Sequence, residues 1–355
     1  MTIDTRAAAA FVFVLSACGT PVSSMDARND GTTDAVDTAA TDSIDTTGDA
    51  DSEIGDARAD SRADDVADGA SVDASTDVTG STCNACETFT TPTSGGTITN
   101  PALVEVSGVV ASHAHPGVLY VHNDSGDTAR FFAIDMAGNT LGEFRLAGVT
   151  AHDWEDISLG PCPSGTCVYL GDTGDNAVAR TQYQVYRVAE PDVSVGTDVG
   201  VVMVPFERFP FVYPNGSHNC ETLMVHPSTG RVYVVTKVAN GMSEVFRFPM
   251  PLTAGTETTL ERVTGFMVPP AGNLTTTGGD IHPCANRFLL RVYGRLYEYR
   301  IDDSLPFENV FDSTANVVPV ATEPQGEAVG YLPDGRGYVT ISEGTMRPVN
   351  ANGCR

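Results

Sequence analysis

Positive charge is scarce in this sequence. Its 355 residues include 20 Lys and Arg against 46 Asp and Glu, which gives a formal net charge of −26 at pH 7. The phosphates of a nucleic acid would be repelled by such a surface. The charge balance therefore excludes DNA and RNA as partners.

Long apolar runs are also missing. The one run near the N-terminus, residues 7–17, is too short to cross a hydrocarbon core about 30 Å thick, so we predict no permanent transmembrane helix. The run ends in "LSAC", Leu15 to Cys18, which resembles the lipobox of bacterial lipoproteins. That resemblance implies a signal peptide over 1–17 and a lipid on Cys18. The lipid would be the only membrane attachment, on the extracytoplasmic side of the envelope, in the periplasm or at the cell surface. An ordinary signal peptide with its cleavage site beside Cys18 is the alternative.

Aromatic residues are absent from residues 26–82, and large aliphatic residues are few. The segment holds 16 Asp and Glu against three Arg. It cannot bury enough apolar surface to offset its conformational entropy, and its like charges extend it. We therefore predict a disordered acidic linker over 18–82, followed by a folded domain over 83–355.

A long stretch with helical periodicity is missing from 83–355. Short runs with a period of two, such as "VLYVHND" and "RVYVVTK", lie between clusters of Gly, Pro, Asn and Asp. Such runs are typical of strands joined by turns. The sequence therefore predicts an all-β domain.

A self-similar unit recurs five times in this domain. Each copy has an acid that enters an apolar strand, then a turn, then a second strand. The leading acids are Glu105, Glu155, Glu221, Asp280 and Glu327. Their spacings of 50, 66, 59 and 47 residues are near the length of a β-propeller blade. We predict five blades; six blades, with a diverged one in the second or third interval, and a β-sandwich are the alternatives.

Outer strands are predicted in the first three units, at 129–135 and 141–146, 182–188 and 201–209, 243–250 and 259–268. The last unit ends too early to supply two outer strands of its own. A strand from the N-terminal side must then complete the last blade, and residues 95–102 are available. We predict that they close the ring.

Four of the strand starts resemble those of known propellers. They are "VSGVV" at 106–110, "DWEDI" at 153–157, "CETLM" at 220–224 and "GEAVG" at 326–330. They look like the motifs of the phytase-like (esterase-like) and SdiA-regulated groups of secreted bacterial propellers, over roughly 103–345. The resemblance implies a propeller fold and, for a phytase-like enzyme, Ca²⁺ that holds phosphate oxygens.

The five leading acids are expected to converge at one mouth of the central channel, because the first strand of each propeller blade lines it. Carboxylates so close together cannot all stay ionised without help. Three explanations remain open. A Ca²⁺ ion binds them, backbone N–H groups of the next blade donate to them, or buried cations balance them. The candidate cations are Lys237, Arg291, His152 and His282.

Catalysis would use Asp153, Glu155 and Asp156 as candidates for a general base, with Lys237 or Arg291 stabilising the developing charge. "NDSGD" at 123–127, which contains Asp124, and "GDTGDN" at 171–176, which contains Asp172 and Asp175, are predicted to shape turns, with Ca²⁺ binding as the alternative. Trp154, the only tryptophan, is predicted to pack between blades.

The cysteines suggest three disulfides. Cys162 and Cys167 flank a hairpin tip and favour a local bond. Cys83 or Cys86 is expected to pair with Cys354 and staple the two ends of the ring. Cys220 and Cys284 begin neighbouring units and are expected to pair across blades.

The function that the sequence favours is binding of a ligand or protein partner at the channel mouth, with Ca²⁺ as a candidate cofactor. One alternative is a Ca²⁺-dependent hydrolase of phosphate esters, other esters or lactones. The other is a structural protein of the cell envelope.

Overall fold

The computed structural model describes residues 85–239, 241–269 and 275–355. The predicted signal peptide, the lipid-bearing Cys18, the acidic linker and Cys83 lie outside the described residues. Within the described ranges, no helix is long and apolar enough to cross a membrane.

The described residues fold into five β-sheets, which are the blades, and one short 3-10 helix, Phe307–Asp312. The strands of these sheets pair antiparallel, except at the outer edges of two blades. Strand β1 (Thr93–Thr97) precedes the first blade. Blade 1 contains β2 (Val106–Ala111), β3 (Val118–Asn123), β4 (Arg130–Asp135), β5 (Thr140–Leu146) and β9 (Val201–Val204). Blade 2 contains β6 (Trp154–Cys162), β7 (Gly165–Asp172), β8 (Tyr183–Ala189), β10 (Glu207–Val212) and β14 (Thr258–Thr259).

The remaining blades have four strands each. Blade 3 contains β11 (Cys220–Val225), β12 (Val232–Thr236), β13 (Met242–Arg247) and β15 (Glu261–Met267). Blade 4 contains β16 (Thr276–Ile281), β17 (Arg287–Val292), β18 (Arg295–Arg300) and β19 (Asn316–Val318). Blade 5 contains β20 (Gly326–Tyr331), β21 (Gly337–Ser342) and β22 (Pro348–Gly353), with β1 at its outer edge.

The five blades form a closed ring. The inner strands β2, β6, β11, β16 and β20 each contact the next, and β20 contacts β2. Apolar clusters fill the spaces between neighbouring blades. Trp154 lies between blades 1 and 2, with ring centroids 6.0 Å from His122 and 5.8 Å from Tyr186. The predicted five-bladed propeller is confirmed, and the six-bladed and sandwich alternatives are wrong.

The ring is closed as the sequence predicted, by a strand from the N-terminal side. β1 pairs antiparallel with β22 from Thr93↔Ala351 to Thr97↔Pro348. A disulfide between Cys86 and Cys354 fastens the same junction. The strand begins two residues before the predicted 95–102 stretch and ends at Thr97, because the Asn100 side chain accepts the N–H of Ala102 at 2.9 Å and turns the chain into blade 1.

Two strands leave their own blade to extend the preceding one. β9 follows β8 of blade 2 but pairs in parallel with β5 of blade 1, and β14 pairs in parallel with β10 of blade 2. The single outer strand predicted at 201–209 is therefore two strands in two blades. Pro205 lies between them and has no N–H to donate to a ladder. The pairing of β9 with blade 1, and not a sixth blade, accounts for the long interval between Glu155 and Glu221.

The disulfide predictions have mixed outcomes. Cys162 and Cys167 form the predicted local disulfide. The predicted pair of Cys220 with Cys284 is wrong, since Cys220 is a buried free thiol and Cys284 is disulfide-bonded elsewhere. Cys220 lies at the start of β11 and Cys284 lies beyond the end of β16, so the two are at opposite ends of the channel wall.

Candidate functional site: an acidic channel mouth

Every inner strand begins with a β-bulge. The pairing with the second strand shifts between Val106 and Gly108 in blade 1, and at the same place in the other four. A bulge leaves one residue unpaired and re-aims its side chain. In ring order, the bulged residues are Ser107, Glu155, Glu221, Thr277 and Glu327. We call these five residues the bulge ring.

Two predicted members of the ring of acids are not at the bulge. Glu105 lies two residues before Ser107 and is exposed at the rim. Asp280 lies three residues beyond Thr277, deeper in the channel wall, where one oxygen accepts the N–H of Tyr331 at 2.8 Å. The prediction aligned the five repeats at an acidic residue, whereas in the structure the inner strands align at the bulged residue. Blades 1 and 4 have hydroxyl residues at the matched position.

A second ring surrounds the same mouth. It consists of the residue that follows the second strand of each blade: Asp124, Thr173, Lys237, Tyr293 and Glu343. In blades 1, 2, 3 and 5 the N–H of this residue donates to the carbonyl of the residue two positions before the bulge, as from Asp124 to Glu105 at 2.8 Å. We call these residues the exit ring. The sequence predicted a role for Lys237 and placed Asp124 in the "NDSGD" turn, but Glu343 in "ISEG" was not predicted.

Asp124 joins two groups of carboxylates. It lies with Asp153 and Glu155 on one side and with Glu327 and Glu343 on the other. In each group the available oxygens lie within 4.8 Å of one another. Glu155 is only 2% exposed, yet its carboxylate has no hydrogen-bond donor among the described residues. The site thus combines Asp153, Glu155 and Glu327, which were predicted site residues, with Asp124 from the "NDSGD" turn and with Glu343, which was not predicted.

Lys237 lies at the mouth beside Glu221. Its ammonium group donates to the Glu221 carboxylate and, at 2.9 Å, to the Tyr293 hydroxyl. Burial opposes the charge of Lys237, but these two contacts raise its pKa above the usual value. Lys237 therefore stays protonated and offsets one carboxylate of the mouth.

The other predicted charge-balancing groups lie elsewhere. Arg291 is fully buried and forms an ion pair with Glu323. His282 lies at the opposite end of the channel wall, with its Nε2 3.0 Å from the Gly335 carbonyl. His152 is exposed and lines a cavity outside the channel. None of these three contacts the carboxylates of the mouth.

The carboxyl groups of the mouth hold their protons unusually tightly. Burial, with the like charges around it, raises the pKa of Asp153 to about 6. Burial raises the pKa of Glu221 to about 7 against the attraction of Lys237, and burial with Glu343 raises that of Glu327 to about 9. Burial and the neighbouring Glu221 also raise the pKa of Glu155 well above its usual range. The mouth therefore has more carboxylates than its own cations can balance.

Asp156 follows Glu155 but has a different environment. Its carboxylate accepts the N–H groups of Ile157 and Leu223 at 2.9 Å, and of Gly279 at 3.2 Å. These donors belong to three different blades. Asp156 and Asp280 thus behave as the hydrogen-bond interpretation expects, joining blades inside the channel wall, whereas Glu155 does not.

The "GDTGDN" segment shapes the turn beside the mouth. Asp172 accepts the N–H groups of His152 and Asp153, both at 3.2 Å, and pairs with Arg180 at 2.9 Å. Asp175 accepts the N–H of Ala179 at 2.9 Å. Neither belongs to the carboxylate groups around Asp124.

Gly174 contributes to the mouth by having no side chain. A Cβ at this position would overlap the carboxylate oxygens of Asp153 and Glu155. Its φ is not in the left-handed region, so the requirement for glycine is one of space alone. The turn therefore leaves room for the two carboxylates.

No protein-family model and no curated protein sequence matches the chain. Among solved structures, the chain is similar to a gluconolactonase from Xanthomonas campestris. The TM-score is 0.41 and the identity 13%, over 70% of this chain and 72% of that chain. A likeness this weak assigns no activity to the chain.

Proposed function

We propose that the mouth binds a divalent cation, Ca²⁺ by preference, and that the loaded mouth binds a ligand rich in oxygen atoms. The observation that carries the proposal is the pair of carboxylate groups that share Asp124. Their raised pKa values reflect burial and mutual repulsion, which a cation would relieve.

The donor set favours Ca²⁺ over other metals. The two groups offer carboxylate oxygens only, with no His or Cys ligand. Oxygen ligands suit hard cations, and Ca²⁺ tolerates irregular shells of six to eight oxygens, whereas Mg²⁺ demands near-octahedral geometry. Oxygens of a ligand and water would complete such a shell.

Calorimetry of the full chain with Ca²⁺ tests this proposal. We expect saturable binding at a fixed stoichiometry, and a loss of at least tenfold in affinity for Glu155→Gln. Asp334→Asn is the matched control, because it removes the same charge from an exposed turn beyond β20, at the opposite end of the channel. The acidic linker adds weak binding that is common to all variants. Equal Ca²⁺ affinity for the wild type and Glu155→Gln would contradict the proposal.

Hydrolysis is the second candidate function, and Asp153 favours it. This half-buried carboxyl group has a pKa of about 6, set by burial and like charges, which suits a general base near neutral pH. Lys237 and Tyr293 are close enough to each other to stabilise developing negative charge together. Phosphate esters, other esters and lactones are the substrate classes that such groups serve.

A substrate panel with and without Ca²⁺ tests the hydrolase. Turnover should require Ca²⁺ and should fall at low pH, because protonation of the carboxyl groups of the mouth releases the cation. Lys237→Met should lower kcat. Stoichiometric Ca²⁺ binding without turnover on any of the three classes would leave ligand binding as the function and reject hydrolysis.

The lipid on Cys18 and the acidic linker complete the proposal, and both rest on the sequence. They would hold the propeller at a distance from the membrane surface on the extracytoplasmic side. Cys18→Ala should release the protein into the soluble fraction after cell breakage. Retention of that variant in the membrane fraction would contradict the lipid anchor.

A further inference from the structure

A cavity of about 380 Å³ lies outside the channel, against the outer strands of blade 2. Val149 and His152, from the segment between β5 and β6, line one side of it. The other lining residues include Gln184 and Tyr186 of β8, Phe206, which precedes β10, and Arg208 of β10. The volume falls within the range of small-molecule sites. The cavity is separate from the carboxylate groups around Asp124.

The charge of this cavity is opposite to that of the mouth. No carboxylate lines it, although the domain is strongly acidic. Arg208 is exposed and forms no ion pair with any described residue, in contrast to Arg187, which pairs with Glu207 on the neighbouring strand. His152 offers a second N–H donor. A negatively charged group is the natural partner for Arg208 here.

Gln184 favours a hydroxyl or N–H group on the same ligand, because its side-chain oxygen lacks a donor within the described ranges. The residue is 8% exposed, and its Nε2 donates to the Gln182 side chain at 2.8 Å. Its Oε1 is buried and has no hydrogen-bond donor among the described residues. A buried acceptor without a donor is costly, so it marks a place where a ligand can donate.

Two aromatic side chains, Tyr186 and Phe206, meet at an angle in the wall of the cavity. Tyr186 and Phe206 lie edge to face with ring centroids 5.8 Å apart, and Tyr186 is backed by Trp154. Tyr186 is buried, whereas Phe206 is half-buried and leaves apolar surface against which a ring of a ligand can pack. The wall therefore favours a ligand with a planar or ring-shaped body.

We propose that this cavity is a second ligand site, for a small organic acid that has a ring and a hydroxyl group. The carboxylate meets Arg208 and His152, the ring lies against Phe206, and the hydroxyl donates to Gln184. The site does not depend on cation binding at the mouth.

Calorimetry of the full chain with 4-hydroxybenzoate tests the site. We expect saturable binding with a Kd below roughly 1 mM, and a loss of at least tenfold for 4-hydroxybenzamide, which has the same shape without the charge. Arg208→Ala should weaken binding of 4-hydroxybenzoate by roughly 10- to 100-fold, as expected for a charged hydrogen bond. Arg336→Ala, which removes an exposed arginine beyond β20, should have no effect.

Two further variants separate this site from the mouth and from general damage. Gln184→Glu adds a negative charge beside the ligand and should abolish binding, with thermal unfolding recorded to show that the variant folds. Glu155→Gln should leave binding of 4-hydroxybenzoate unchanged. Absent saturable binding, equal affinity for the benzamide, or full affinity in Arg208→Ala would each overturn the proposal.

Discussion

Glu155 and Asp156 are neighbours in the chain, and the bulge of β6 directs them to different environments. Asp156 accepts three backbone N–H groups, while Glu155 faces Asp124, Asp153 and Glu221. One carboxylate joins blades, and the other faces the channel mouth among like charges. The difference comes from backbone geometry, since both are acids in the same strand.

Isosteric amides should separate these two roles. Asp156→Asn places an NH₂ group among backbone donors, so we expect it to lower the free energy of unfolding by about 2 kcal/mol or more. Glu155→Gln removes repulsion, so without added cation we expect unchanged or increased stability together with weaker Ca²⁺ binding. Urea unfolding of both variants measures the effects. A larger stability loss for Glu155→Gln than for Asp156→Asn would contradict this assignment.

Gly174 offers a steric test of the mouth. A Cβ there would push the carboxylates of Asp153 and Glu155 out of position, so Gly174→Ala should weaken Ca²⁺ binding at least tenfold. Gly294→Ala is the control, because Gly294 follows the exit-ring residue Tyr293 and a Cβ there would have no atom within 4 Å. Calorimetry on both variants measures the difference. Equal Ca²⁺ affinity in the two would show that the space around Gly174 is not needed.

Three of the five bulge-ring residues could be predicted from the sequence, because an acid before an apolar strand stands out. Ser107 and Thr277 could not, since nothing in a hydroxyl residue signals a bulge. Asp124 and Glu343 come to the mouth through the pairing of the second strand with the first. That pairing is set by register, which residue type alone does not reveal.

At the scale of elements, the disulfide at the closure between β1 and β22 encloses a much longer loop of the chain than the disulfide in blade 2. The Cys86–Cys354 disulfide joins residues 268 apart in sequence, and Cys162–Cys167 joins residues five apart. A crosslink restricts the unfolded chain more when its loop is longer. The two disulfides should therefore differ greatly in their contribution to stability.

Paired serine variants test that difference. The chain-entropy relation gives a loss of roughly 6 kcal/mol for Cys86→Ser with Cys354→Ser, and roughly 2 kcal/mol for Cys162→Ser with Cys167→Ser. Denaturant unfolding measures both. Equal losses would show that the ring closure is held by β1 pairing alone.

Hairpins within a blade could be predicted from alternating residues and turn signals, and the five-unit repeat followed from them. The parallel strands β9 and β14 could not, because their partners lie in a different unit. Residues 201–209 have a strand-like pattern throughout, and only Pro205 hints at a division. The sequence identifies strands more readily than it identifies their neighbours.

At the scale of the whole molecule, the mouth should make stability depend on pH. The pKa of Glu327 is raised to about 9, mainly by burial, so between pH 7 and 9 the folded state retains a proton that the unfolded chain releases. The free energy of unfolding then falls as pH rises. Below pH 6.5 the buried His122 and His282, with pKa values lowered to about 4 by burial, act in the opposite direction.

We therefore expect the unfolding temperature to fall by roughly 5 °C between pH 7 and 9 without added cation. Saturating Ca²⁺ should reduce the fall, because the cation binds the deprotonated carboxylates. Glu327→Gln should flatten the profile. Differential scanning calorimetry measures all three, and a rise in unfolding temperature over this range would contradict the proposed repulsion.

Because β9 pairs with β5, the five strands of blade 1 are not encoded by one continuous stretch of the gene. A segment copied from residues 103–152 would encode four strands of blade 1 and omit its outermost one, which is encoded beyond β8. The copy would leave β5 as an open edge able to pair with another chain. Duplication or exchange of single units, an ordinary route by which repeat proteins gain and lose blades, is thereby hindered between blades 1 and 3, while blade 4 is encoded as one continuous segment.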